Sequence, residues 1–426
     1  MSARDDTEVN EPVQRDRTGL RALWVANGVS MLGGQMTGVA IPWFVLETTG
    51  SAARTGLMAT ALALGGVLAS VFTGPLIDRM GFKRGSVITD VAAGVFVAGI
   101  PLLYGAGVLQ FWQILVLGFL ATCMNAPGDS ARYALVPGLA ARAAITIERA
   151  NAVDRALGRV AMLVGPLVGG VLIAAIGAAN VLLVDALTFF VSAICVGVFV
   201  RRSTDQAAVA TSGTGDRSYR AELLAGLRFV FANTLLLSIV LVSSVANGLD
   251  AALQSVVLPV YTREIWDSPA SLGGMVSALG AGTLIGTAVF GAIGHRMPRR
   301  LTFLLGGAAG ALLLYGGLAV TPPFPVLLVL VALGGIVGGP IVPLMQTVAQ
   351  TATPADMYGR VFGALQSMTA ALVPFVTAIV GFVIEGAGLV PTIVGLLVVY
   401  LAITLGMLLN PALRRMDTTP RTVSSS

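Results

Sequence analysis

Apolar residues run through this chain in long unbroken stretches, not in alternation. Twelve stretches stand out, at 20–46, 53–77, 87–108, 111–135, 150–176, 179–200, 234–261, 269–293, 301–320, 323–350, 358–384 and 389–411. Val181–Val200 carries no charge except Asp185, and Leu301–Val320 carries none. Each stretch is long enough to cross a hydrocarbon core as a helix, which takes about 20 residues. A backbone in lipid must satisfy its own hydrogen bonds, so only helices or a closed barrel can span, and the alternation of a barrel strand is absent. The pattern predicts an all-α polytopic membrane protein with twelve transmembrane helices. Polar sequence brackets these spans. Residues 1–18 have no apolar signal-peptide core and read as a disordered tail. Ser203–Asp216 reads as a linker. After it, Leu223, Leu224, Leu227, Val230 and Phe231 share one helical face, with Arg220 and Arg228 elsewhere, which predicts a helix lying along the membrane surface.

Composition agrees. The 426 residues are 56% hydrophobic and 11% charged, against about 25% charged in a soluble domain. Cys123 and Cys195 fall inside apolar spans and suggest neither a disulfide framework nor a metal site. The net charge of +5 is explained by where the charges sit. Of 26 Lys and Arg residues, all but Arg54 and Arg263 fall in the N-terminal segment, the even-numbered connections or the C-terminal tail. The positive-inside rule then puts both termini in the cytoplasm, which requires an even number of spans. The expected location is a bacterial inner membrane, and the basic balance reflects orientation in the lipid bilayer, with no nucleic acid as partner.

The chain also repeats itself. Val25-Ala26-Asn27-Gly28 returns as Val245-Ala246-Asn247-Gly248, and Val39-Ala40-Ile41-Pro42-Trp43-Phe44 as Val256-Val257-Leu258-Pro259-Val260-Tyr261. Gly74-x-x-x-Asp78-Arg79-Met80 returns as Gly291-x-x-x-His295-Arg296-Met297, and Ala126-Pro127 as Gly339-Pro340. The offsets run 220, 217, 217 and 213. The expected organisation is a cytoplasmic tail (1–18), an N-terminal six-helix half (19–200), a cytoplasmic linker with the surface helix (201–233), a C-terminal six-helix half (234–412) and a second tail (413–426). Six spans per half make the repeats parallel, an arrangement that suits alternating access around a central cavity.

Gly74-Pro75-Leu76-Ile77-Asp78-Arg79-Met80-Gly81-Phe82-Lys83-Arg84, between the second and third spans, resembles the loop motif G-x-x-x-D-R-x-G-R-[KR] of the major facilitator superfamily. The resemblance implies a cytoplasmic gate of Gly74, Asp78, Arg79, Gly81, Lys83 and Arg84. In physical terms, Gly74 lets helices approach and Asp78 faces the positive N-terminus of the eleventh span near residue 358. In the fifth span Gly158, Gly165-Pro166 and Gly169-Gly170 are similar to the antiporter motif of the superfamily's export branches. Leu23-Trp24-x-x-Asn27, Ala40-Ile41-Pro42-Trp43-Phe44, Thr49-Gly50-Ser51 and Asn151-Ala152 resemble the macrolide-efflux and enterobactin-exporter-like subgroup. The resemblance covers roughly 18–412. Two departures stand out. Many drug exporters carry an Arg within the fourth span, whereas here the first is Arg132 at its cytoplasmic end. His295, the single His, replaces the acidic residue in the second copy of the loop motif.

Ionisable groups inside a span cost about 2.5–3.5 kcal/mol on insertion scales and are often functional. Asp250 lies near the middle of the seventh span, with Asn247 and Gln254 on the same face. It is the first candidate for taking up and releasing a proton, and Asp185 is the second. Asn27, Gln35, Asn247 and Gln254 are candidates to line a substrate cavity. Asp90, Asp129, Arg132, Asp154, Arg155 and Arg159 suggest salt bridging near a cytoplasmic gate. Trp43, Trp112 and Trp266 read as interfacial anchors at the outer boundary, and Trp24 at the inner one. The only lysine, Lys83, is not in a P-loop context, so no nucleotide, cofactor or metal is expected and the chain does not read as an enzyme. The reading that results is a monomeric secondary transporter, a proton-coupled antiporter exporting small amphipathic or hydrophobic molecules. A solute importer or lipid-metabolite facilitator of the same fold is the alternative, and a non-transporting sensor a distant one.

Overall fold

The computed structural model describes residues 17–201 and 216–409. The expected tails at 1–18 and 413–426, and all of the linker before residue 216 except its first residue, fall outside the described residues but for Arg17 and Thr18. Thirteen helices follow one another. They are α1 (Thr18–Thr49), α2 (Ala52–Met80), α3 (Phe82–Gly105), α4 (Phe111–Arg142), α5 (Ile147–Ile176), α6 (Ala178–Phe199), α7 (Asp216–Ala232), α8 (Thr234–Ile265), α9 (Pro269–Ile293), α10 (Arg299–Val320), α11 (Phe324–Thr351), α12 (Tyr358–Ala387) and α13 (Leu389–Leu409). All but α7 are long and apolar enough to cross a membrane, so the twelve expected spans are present.

Some connections are a single residue. Gly81 joins α2 to α3 at φ 76°, and Gly388 joins α12 to α13 at φ 91°. A side chain at either place would meet the steric penalty that glycine escapes. In the loop motif, Gly81 is therefore needed for the turn itself.

Within each half the helices pack in the same order. In the first, α1 lies against α5, α4 against α2 and α3, and α3 against α6. In the second, α8 lies against α12, α11 against α9 and α10, and α10 against α13. Lipid offers little hydrophobic drive for helix association, so close backbone approach and polar contacts hold such bundles together. Glycine supplies the approach between α9 and α11, where a Cβ on Gly335 would sit 2.6 Å from the Leu279 carbonyl oxygen.

Helix α7 differs from its expected setting only in part, because the second lobe covers some of its apolar face: Val230 is buried, and with Leu227 it packs on Leu236 of α8 and Val361 and Leu365 of α12. Leu224 and Phe231 remain exposed. The tryptophans differ too. Trp43 is buried, with Arg263 lying over its ring at 5.5 Å, and Trp266 sits edge-on between Tyr261 and Phe324. Of the three expected outer anchors only Trp112 is largely exposed. Trp43 under an arginine of the other lobe and Trp266 between rings of its own lobe each gain more buried area than a headgroup boundary offers, and those partners are not visible in local sequence.

The two lobes meet along α2–α12 and α5–α9. The contacts gather at the end of the bundle away from Thr18 and Leu409. There a Cβ on Gly56 would lie 2.6 Å from the Thr377 carbonyl oxygen, and one on Gly170 would lie 2.5 Å from that of Pro269. At the terminus-bearing end, Gly74 of α2, Gly291 of α9 and Gly359 of α12 face open space. The lobes are thus closed at the far end and splayed at the end that carries the termini.

Candidate functional site

Asp250 lies midway along α8, in the second lobe. It is followed at once by a π-helical turn, Leu253–Val257. A second π turn, Leu312–Gly316, interrupts α10 and carries Tyr315. Such turns leave backbone groups off the regular ladder and recur at functional sites. The Asp250 carboxylate is within electrostatic reach of the Tyr315 and Tyr400 rings, which stand 6.0 Å apart. It is half-buried and accepts no hydrogen bond among the described residues. Tyr315 is 1% exposed and its hydroxyl also lacks a partner. One turn away from Asp250, a cavity of about 30 Å³ is lined by Ser243, Ala246, Phe303, Gly307, Tyr400 and Thr404. That exceeds the 10–15 Å³ or so that one water needs.

The cavity exists because α8 barely touches α13. The corresponding seam of the first lobe is shut, with α1 packed along α6. There the carboxylate comes from the other helix of the pair. Asp185 of α6 is buried and accepts from the Thr37 hydroxyl at 2.5 Å and the Thr188 hydroxyl at 3.1 Å. Gly33 of α1 leaves the space for it, since a Cβ there would collide with Asp185 and Thr188. The two candidates for proton exchange therefore differ. Asp185 is satisfied by neutral donors within a closed seam, and Asp250 stands unpaired beside an open one.

The four cavity candidates also separate. Asn27 is buried, and its amide donates to Asp154 at 2.7 Å, tying α1 to α5. It is committed to helix packing and does not line open space, which corrects the expectation for that residue. Gln35, Asn247 and Gln254 are exposed. The Asn247 amide donates to the Thr369 carbonyl at 3.2 Å, and that of Gln254 to the Asp250 carbonyl at 3.5 Å. Asn247, Asp250 and Gln254 remain on neighbouring positions of α8 despite the π turn.

At the terminus-bearing end Arg132 is buried and pairs with Asp90 of α3 and Asp129 of α4. Ser192 of α6 donates to Asp90 at 2.8 Å and completes the network. Arg155 and Arg159 are exposed on α5. The gate-motif residues lie where α2 turns into α3. Gly74, Arg79 and Arg84 are exposed, Lys83 is half-buried, and the side chain of Asp78 lies outside what is described. The helix approach expected at Gly74 is not made in this state of the lobes. In α5, Gly158 sits 3.6 Å (from its ideal Cβ) from the Met31 sulfur, and Gly165 and Gly169 pack against Gln35 and Met36 of α1. Gly170 turns to the other lobe, where it and the Pro166 carbonyl meet Gly273 of α9.

A family model described as transmembrane secretion effector matches residues 12–425. The multidrug efflux pump Tap of Mycolicibacterium fortuitum is 32% identical over 397 residues, covering 90% of this chain and 94% of that protein. The chain belongs to the major facilitator superfamily. The enterobactin exporter EntS of Escherichia coli, of the same superfamily, is 26% identical over 83% of this chain and 82% of its own. The solved nucleoside transporter NupG superposes with a TM-score of 0.76 at 11% identity, covering 92% of this chain and 98% of its own, a likeness of fold alone. This major facilitator protein is thus a multi-pass transporter of the bacterial inner membrane.

Proposed function

We propose that this transporter is an exporter of small amphipathic or hydrophobic molecules, driven by proton antiport, with Asp250 as the group that binds and releases the proton. The observation that carries this reading is the Asp250 carboxylate itself. It lies in the middle of a span with neither a hydrogen bond nor a counter-cation among the described residues. An unpaired charge in that position is costly, and protonation removes the cost. Protonation thus changes the energy of the α8–α13 seam, which is what coupling requires. Export as the direction is supported by the names of two relatives, a multidrug efflux pump and an enterobactin exporter, and by the antiporter-like motif at the α5–α9 contact.

The test is ethidium efflux from cells lacking their own exporters, with and without a protonophore. Wild type is expected to extrude the dye until the gradient is collapsed. Asp250→Asn is expected to lose at least tenfold of the uphill rate while still exchanging dye down its gradient, and Asp185→Asn to lose far less. Uphill export by Asp250→Asn at the wild-type rate would sink the assignment.

A further inference from the structure

Among the contacts that close the far end of the molecule, one joins a carboxylate of the second lobe to the start of a helix in the first. Glu385 lies in the last turn of α12, in the second lobe. Its carboxylate accepts from the Ser51 hydroxyl at 2.5 Å and from the Ala53 backbone N–H at 3.0 Å, both at the start of α2 in the first lobe. The Ser51 oxygen in turn accepts from the Arg54 N–H at 3.1 Å. Two otherwise orphaned donors of the first turn are thereby satisfied, one by Glu385 directly and one through Ser51. The Arg54 side chain adds a favourable charge.

Within its own helix this carboxylate is misplaced. A helix C-terminus is the negative end of the macrodipole and disfavours an anion, while an N-terminus favours one. Glu385 is therefore well placed only while the lobes are together. When they part at this end, it faces the carbonyl end of α12 with water in place of the α2 donors. Two further contacts continue inward from Glu385 at one-turn spacing. Gly381 meets Gly56 backbone to backbone, and Thr377 meets Thr60, whose hydroxyl also donates to the Pro374 carbonyl at 2.8 Å. Those inner contacts are close-packed, whereas Glu385 sits at the exposed rim, where the α2 donors can be exchanged for water without uncovering a buried group.

We propose that Glu385 is the detachable latch of the far gate, a positioning residue for transport that sets how readily the lobes separate at that end. Its energy differs between the closed and open arrangements, so it biases the conformational equilibrium without touching cargo. The proposal needs only that the protein is a transporter whose lobes move. It depends neither on proton coupling nor on the direction of transport.

The experiment measures the far gate directly. Cys123→Ser and Cys195→Ser remove the native thiols, and spin labels at Ala106→Cys and Val320→Cys report the separation of the lobes at this end. Glu385→Gln and Glu385→Ala are expected to raise the longer-distance population at least threefold. Maximal ethidium transport should change, and the half-saturating dye concentration should change less than twofold. Ser51→Ala combined with Glu385→Ala should add little to Glu385→Ala alone, because both act through one contact. Unchanged distance populations in Glu385→Ala would overturn the proposal, as would full additivity with Ser51→Ala. Loss of the far-gate bias with proton coupling intact supports the latch alone, so its outcome is separable from that for Asp250.

Discussion

A guanidinium and a carboxylate that are both shut away from solvent depend on one another as partners. Arg132 and Asp90 are 1% and 0% exposed, and Ser192 occupies a remaining carboxylate oxygen. Removing one partner of such a pair leaves an uncompensated buried charge, which costs about 3–5 kcal/mol, whereas replacing both with apolar groups can be nearly neutral. Arg132→Leu is therefore expected to destabilise the carrier by that amount, seen as a large fall in its unfolding midpoint in detergent. Arg132→Leu with Asp90→Leu should recover most of the loss. A single variant as stable as the double would show that the pair is not coupled in this way. The sequence placed Arg132 at the rim of the fourth span because only its position along the chain could be read. Its burial depends on Asp90 and Ser192, 42 and 60 residues away on other helices. Glu385 was illegible for the same reason. It is the lone acidic residue between Asp356 and Asp417, a detectable oddity, but its partner lies 334 residues distant.

At the scale of the helix, α5 carries two adjacent glycines with different tasks. Successive residues point about 100° apart around a helix, so Gly169 and Gly170 address different neighbours. Gly169 meets Met36 of α1 inside its own lobe, with 3.0 Å between an ideal Cβ and the Met36 Cα. Gly170 meets Gly273 of α9 in the other lobe, again at 3.0 Å. Bulk at the first position disrupts the lobe, while bulk at the second disrupts its closure against the other. Gly169→Leu should therefore lower the unfolding midpoint, by roughly the 1–3 kcal/mol typical of overpacking. Gly170→Leu should leave the midpoint close to wild type but reduce dye transport severalfold. Parallel melting and transport measurements decide this, and equal destabilisation of both variants would contradict it. The motif itself was legible as a run of glycine and proline in the fifth span. Its division between an intra-lobe and an inter-lobe face required the neighbouring helices. The π turns beside Asp250 and in α10 were not legible either, because no Gly or Pro marks the first and local pattern does not distinguish an extra residue in a turn.

For the molecule as a whole, the twelve spans and the two-part organisation were expected from hydropathy and the internal repeat, because both signals are carried along the chain. The state of the lobes was not, since it is a relation between surfaces about 100 to 330 residues apart along the chain. Sorting of Lys and Arg by connection predicts that the splayed end, which carries the termini, faces the cytoplasm. The far end then faces outward, and transport requires the two ends to exchange their closed and open roles. Paired cysteines test that exchange. The Thr60 and Thr377 hydroxyls stand 3.1 Å apart across the closed lobes, so thiols in their places would be within reach of a disulfide, whereas Gly74 and Gly359 both face open space here. With the native cysteines replaced by serine, Thr60→Cys with Thr377→Cys should cross-link on mild oxidation, abolish dye export, and regain it on reduction. Gly74→Cys with Gly359→Cys should resist oxidation in the same state, then cross-link once the far gate is weakened by Glu385→Ala. Cross-linking of both pairs at equal rate in the unperturbed carrier would mean that its ends do not alternate. A cross-linked far pair that still exports would mean that separation at that end is not a step in transport. The second pair carries the stronger inference, because a latch at one end can promote closure at the other only if each lobe moves as a rigid unit between them.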